Sequence, residues 1–120
     1  MGLEMLTKLL TDLSGVQIFP LQFPQNTEAA AKVEVTSSIE ESCGVADLTV
    51  QVMVRDKHPA LAESTSQKIK EALHQVTDTD FGNFQVVICR SLGEPFFVGE
   101  SEAGFYIFSL DFNLIINKLC

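Results

Sequence analysis

Basic side chains are scarce in this chain of 120 residues: eight Lys and Arg stand against sixteen Asp and Glu, a formal net charge of −8. A protein that grips phosphates through bulk positive charge is thereby excluded as the leading expectation. Cysteine is equally sparse. Cys43, Cys89 and Cys120 are odd in number and lack CxxC spacing, so they point to free thiols in a reducing compartment, not to a disulfide frame or a zinc site. No uninterrupted apolar run approaches the roughly 20 residues that cross a bilayer. Residues 1 to 14 carry neither a basic leader nor a small-residue cleavage site, so the expected compartment is cytosolic. Phosphate-binding glycine loops are missing too, because Gly93, Gly99 and Gly104 fit neither GxGxxG nor GxxxxGK[ST]. Both lipidation routes fail: Leu6 stands where a myristoylation signal needs Ser or Thr, and Cys120 is terminal instead of fourth from the end.

What the chain does have is apolar material, 46% of its residues, which suffices for one compact core and predicts a single domain over residues 1–120. Leu3, Leu6, Leu9, Leu10 and Leu13 form one stripe of a helix of about three turns that Gly15 ends. Residues 16–23 are β-rich, but Pro20 restricts any strand there to an edge or a bulge. Residues 25–31 are expected to be a loop, 32–39 an alternating strand, and 40–44 a turn. Residues 45–55 give the clearest strand, with Ala46, Leu48, Val50, Val52 and Val54 on one face. Pro59 suits the start of a second helix over about 60 to 75, with a stripe of Leu61, Thr65, Ile69, Ala72, Leu73 and Val76.

Further on, residues 77–83 have no period and are expected to form a loop. Residues 84–92 are apolar on both faces, with Phe84, Val86 and Ile88 on one and Val87 and Cys89 on the other. In the last strand, 105–117, Tyr106, Phe108, Leu110, Phe112, Leu114 and Ile116 line one face. Between these two strands, 93–104 is expected to be a long connecting arm, of a length that is usually functional or disordered. The expected fold class is α+β, a two-layer arrangement of two helices packed on one face of an antiparallel or mixed β-sheet. Its other face would hold Thr49, Gln51, Met53, Val87, Cys89, Phe105, Ile107, Ser109 and Ile115, with little charge. That composition suits a protein interface, through self-association or docking into a larger assembly.

Reaction chemistry is weakly signalled. His58 and His74 lie at opposite ends of one helix, about 24 Å apart by helical rise, too far to share a metal. Asp78 and Asp80 flank Thr79 either as paired carboxylates or as members of an ordinary polar turn, and the turn needs no further assumption. No serine occupies a GxSxG elbow and no cysteine adjoins a histidine in sequence. Cys89 is expected to be a small core hydrophobe and Cys120 a frayed terminal thiol. The basic residues alternate with acidic neighbours and form no patch. In the arm, Phe96, Phe97 and Val98 either tuck onto the core or anchor in a neighbouring subunit; the flanking glycines and glutamates favour the anchor. The interface candidates are therefore Phe96, Phe97, Val98, Met53 and Ile107.

The leucine-rich first helix, the strand ending in Val52, Met53, Val54, Arg55 and Asp56 ahead of a helix from Pro59, and the closing arm and long strand resemble the tail-terminator proteins of long-tailed bacteriophages. They look most like the small "minor capsid protein" relatives in phages and prophages of Gram-positive hosts, over nearly the whole chain in order of elements. The resemblance implies a non-enzymatic virion structural protein with no cofactor. It would form a homo-oligomeric ring, a hexamer, that terminates the tail tube and joins it to the head connector. Its partners would be itself, the tube protein and the connector protein, with DNA passing through unbound. It would reside at the head–tail junction of the virion and in host cytoplasm during assembly. A sphere of this chain length has a radius of gyration of about 14 Å and a diameter near 35 Å, and six in a ring would leave an opening of roughly 35 Å. Two other classes remain open: a small α+β adaptor that binds a host partner through its sheet face, and a small enzyme with a site near His58, Asp78 and Asp80.

Overall fold

A computed structural model describes residues 3–23, 29–39, 44–81 and 84–118. The first helix, α1, spans Leu3–Ser14 and buries Leu6, Leu9 and Leu10. It ends where the Gly15 N–H donates to the Thr11 carbonyl (2.9 Å) with φ at +73°, a left-handed conformation that glycine adopts without a Cβ penalty. The chain then runs through β1 (Ile18–Pro20), β2 (Ala30–Ile39), β3 (Gly44–Asp56), α2 (Pro59–Leu73), β4 (Val76–Phe81), β5 (Phe84–Ser91), β6 (Phe96–Glu100) and β7 (Tyr106–Lys118).

These strands form one seven-stranded sheet in the order β1-β2-β3-β7-β5-β4, with β6 added to β7. β1 runs parallel to β2 and every other pairing is antiparallel, so the sheet is mixed. β1 is a three-residue edge strand, as Pro20 requires. The axis of the sheet is the β3–β7 ladder, in register from Gly44 opposite Lys118 to Asp56 opposite Tyr106. Strict alternation along β3 buries Ala46, Leu48, Val50, Val52 and Val54 against Leu110, Phe112, Leu114 and Ile116 of β7. α1 lies on β1 and β2, α2 lies on β7, β3 and β5, and the helices touch each other. All of this burial forms one cluster, so both helices cover the same face.

Four local expectations are corrected. Residues 77–81 belong to strand β4, not to a loop. The polar run Thr77, Asp78, Thr79, Asp80 occupies a sheet edge, where one flank of the ladder meets no further strand among the described residues. Residues 96–100 are likewise a strand within the expected arm, and turn 101–104 closes a β6–β7 hairpin in which the Ser101 N–H donates to the Phe105 carbonyl (2.8 Å). In β5 a bulge between Val86 and Ile88 breaks the alternation. Val86 and Cys89 therefore both face the core, and Ile88 lies opposite Ile115 on the other side. Cys89 thus leaves the open face to which simple alternation assigns it. In α2 the buried stripe is Ala62, Ser66, Ile69 and Leu73, while Leu61 is exposed; the small residues let the helix settle close to the sheet.

The radius of gyration, 14.3 Å, matches a sphere of this length, but the shape does not: the extents are 46 × 24 × 22 Å. The thirteen-residue strands β3 and β7 set the long dimension.

Candidate assembly surface

One strand, β7, is shared by two neighbours on the same flank. β5 pairs with its C-terminal half, from Phe112 onward, and β6 pairs with its N-terminal part, Tyr106 to Ser109. Among the described residues β6 pairs with β7 alone, so its outer edge carries no strand of them. Phe96, Phe97 and Val98 on this edge are 52%, 54% and 50% exposed. The two phenylalanines point to opposite faces. Phe97 lies on the helix side, its ring centroid 5.6 Å from that of Phe108 and 6.3 Å from that of Tyr106. Phe96 lies on the open side, beside Ser109, which in turn pairs with Met53.

The registers bring the remaining candidates together on that open side. Lys32, Met53, Ser109 and Phe96 form one row across β2, β3, β7 and β6, and Ala30, Arg55, Ile107 and Gly99 form the next. Met53 and Ile107 are half-buried. Further along the ladder the face is knit by polar contacts. The Gln51 Nε2 donates to the Ser109 Oγ (3.1 Å), and the Asn113 Nδ2 donates to the Asp47 Oδ1 (2.6 Å) and to the Leu48 carbonyl (3.2 Å). Ser109 and Asn113 are buried with partners, so they rigidify this face at little desolvation cost.

Sequence reasoning missed a cation–aromatic cluster at the same end of the open face. The Arg55 guanidinium sits between two rings, 4.7 Å from the Phe23 centroid and 4.4 Å from that of Phe105. The Lys32 ammonium lies 4.9 Å from Phe23 and the Lys57 ammonium 5.7 Å from Phe105. Along the chain these cations alternate with acids and look like a solvated mixture. The β2–β3–β7 register gathers them. Burial lowers the pKa of Arg55 from its ordinary value, yet a guanidinium stays charged at neutral pH.

The arm is tied to α2 at its root. Lys70 pairs with Glu94 on the β5–β6 connection, and the Gln67 Nε2 donates to the other Glu94 oxygen (3.2 Å). The Lys70 hydrogen bond, seconded by Gln67, holds the Glu94 carboxyl below its ordinary range. Next to it, the Ser91 N–H donates to the His74 Nδ1 (3.0 Å).

Among the described residues the other candidates lie apart. His58 is the N-cap of α2 and His74 its C-cap, and the His58 N–H donates to the buried Asp56 Oδ1 (3.0 Å). Asp80 lies on β4, which leaves the C-terminal end of the helix, a helix length of about 22 Å from His58. The side chain of Asp78, together with Cys43 and Cys120, lies outside the described residues. Among the described residues, no three of His, Cys, Asp and Glu gather where they could hold a metal ion. No helix among them is long and apolar enough to cross a membrane.

What the described residues present is an apolar strand edge and a cationic, ring-lined platform on one sheet. The chain belongs to the family described as bacteriophage tail terminator protein, which it matches over residues 10–118. It is a structural protein of the virion, at the tail end. Its fold is similar to that of a chain in a solved structure titled "Virion of native gene transfer agent (GTA) particle", with a TM-score of 0.65 and 15% identity, over 91% of this chain and 84% of that one. A comparison with curated proteins found no match.

Proposed function

We propose that the chain, as one tail-terminator domain over residues 1–120, assembles without catalysis into a closed homo-oligomeric ring, a hexamer. The ring ends the tail tube and joins it to the head connector at the head–tail junction, after assembly in the host cytoplasm. The observation that carries this reading is the β6 edge: three consecutive apolar side chains about half exposed on a strand that, among the described residues, pairs on one side only. Such an edge invites pairing with other chains, and a closed ring satisfies it without open-ended growth. The fold neighbour belongs to a virion particle, which agrees with this placement.

The elongated shape changes the expected bore. Six copies standing with the 46 Å axis along the tube leave an opening of about 25 Å, and copies lying along the circumference leave about 70 Å. Both admit a DNA duplex. A net charge of −8 opposes the counterion-release affinity that a basic channel would create, so DNA slides through unbound. Negative-stain imaging with mass measurement of the purified protein tests the proposal. Annular particles of one stoichiometry are expected; a monomer at every concentration and salt would overturn it.

A further inference from the structure

We infer that the ring contact is heterologous: the arm of one copy docks its acidic, apolar edge on the cation–aromatic platform of the next copy. The inference rests on the ring reading above and deepens it by naming the two surfaces. One surface is the β6 edge, with Phe96, Phe97 and Val98, and the hairpin tip with Glu100 and Glu102; all five side chains are exposed. The other is the open-face platform of Lys32, Arg55 and Lys57 around the Phe23 and Phe105 rings.

Charge selects the occupant. Of the eight basic residues in the chain, three converge on this platform, while both charged residues of the tip, Glu100 and Glu102, are acidic. Arm against arm would oppose carboxylates, and platform against platform would oppose cations, and such like-charge juxtapositions are costly. Arm against platform pairs opposite charges and adds ring faces and aliphatic area on both sides. A second copy of this chain therefore carries the complement of each surface. The two surfaces differ, so the contact is head to tail, the type that closes into rings by rotation, whereas an isologous contact would stop at a dimer. It would also cover the open β6 margin.

Charge reversal with complementation tests the pairing. One variant carries Glu100→Lys and Glu102→Lys, the other Lys32→Glu and Lys57→Glu, and sedimentation at about 0.1 M salt follows assembly. Each variant alone is expected to need about tenfold or more protein for half-assembly. An equimolar mixture is expected to return close to the wild-type value, because arm and platform charges are again opposite at every contact of an alternating ring. Circular dichroism checks the fold of each variant. Should the platform variant fail to fold, Lys57→Glu alone, at an exposed position, is paired with the arm variant instead. Wild-type rings with both variants assembling normally, or a mixture no better than its parts, would overturn this inference and leave the ring standing. A wild-type protein that stays monomeric would overturn both. If arm reversal spares the ring but abolishes binding to isolated tail tubes, the occupant of the arm is the tube protein and the inference fails.

Discussion

Two phenylalanines separate folding from assembly. Phe112 is fully buried under the helices, so Phe112→Ala removes a core ring and leaves a cavity, at a cost of about 3–5 kcal/mol of protomer stability. Phe97 is 54% exposed. Within the protomer it buries about half of a side chain of roughly 200 Å², worth about 2 kcal/mol at 25 cal/mol per Å². No closed cavity forms at a surface site, which places Phe97→Ala at about 1–2 kcal/mol even though the Phe108 and Tyr106 rings are left without their aromatic neighbour. In the proposed ring the other half of the side chain is what a neighbouring subunit would cover. Losing it costs about 2 kcal/mol more per contact, a weakening of roughly thirtyfold. Urea denaturation below the dissociation concentration reads the first quantity, since stability is otherwise coupled to assembly. Sedimentation across a concentration series reads the second. If Phe97→Ala unfolds the protomer as severely as Phe112→Ala, Phe97 is a core residue and the arm is no docking surface. If it leaves assembly unchanged, the edge is not where copies meet.

Acid is expected to weaken the tie at the root of the arm. Hydrogen bonding to Lys70 keeps the Glu94 carboxyl below its ordinary value of 4.5, so the folded state binds that proton more weakly than the unfolded one. The contribution is fully present above the ordinary value and fades as pH falls through the lower folded one; an NMR titration should place Glu94 below 4.5, and Lys70→Met should raise it towards that value, with the Gln67 hydrogen bond still holding it lower. The Cys89 thiol, pushed up to about 12 by burial, should resist alkylation at pH 8 in a Cys43→Ser/Cys120→Ser background until urea unfolds the protein; rapid labelling under native conditions would refute its core placement. Gly15→Ala forces a Cβ into the left-handed region at φ +73° and should cost about 1–2 kcal/mol by thermal or urea denaturation, with no change in assembly, because the space around the site is open. Asp56→Ala removes the acceptor for the His58 N–H ahead of α2 and should cost about 1 kcal/mol or more, read the same way.

Much of the architecture was legible because periodicity is a local property. The leucine stripe of α1, the alternation of β3 and the apolar face of β7 each follow from one element meeting one core. The edge character of β1 followed from Pro20 alone. The errors fall where a neighbour decides. β4 has no apolar period because it sits at a sheet margin, although the Gly82–Asn83 pair between its Phe81 and the Phe84 of β5 is a recognisable hairpin signal. β6 was hidden within a glycine-containing connection, with Gly104 (φ +85°) as the turn signal before β7. In β5 the bulge moved Cys89 from one face to the other, and a single extra residue in a ladder leaves no mark on hydropathy. The Phe96–Phe97–Val98 candidates could be picked out in sequence as apolar residues between glycines and glutamates. That two of them point to opposite faces required the register with β7.

The two helices, the long strands, the fold class, the acidity and the resemblance to tail terminators were legible in the chain alone, since side-chain chemistry and short-range spacing are written in one dimension. Which strands become neighbours was not, because sheet pairing joins residues dozens of positions apart. Arg55 meets Ile107 and the ring of Phe105, and Lys32 meets Met53, only through the β2–β3–β7 ladder. The basic platform of an acidic protein is therefore a product of tertiary structure: it exists only after long-range hydrogen bonding has brought Lys32 and the Phe23 and Phe105 rings to Arg55 and Lys57.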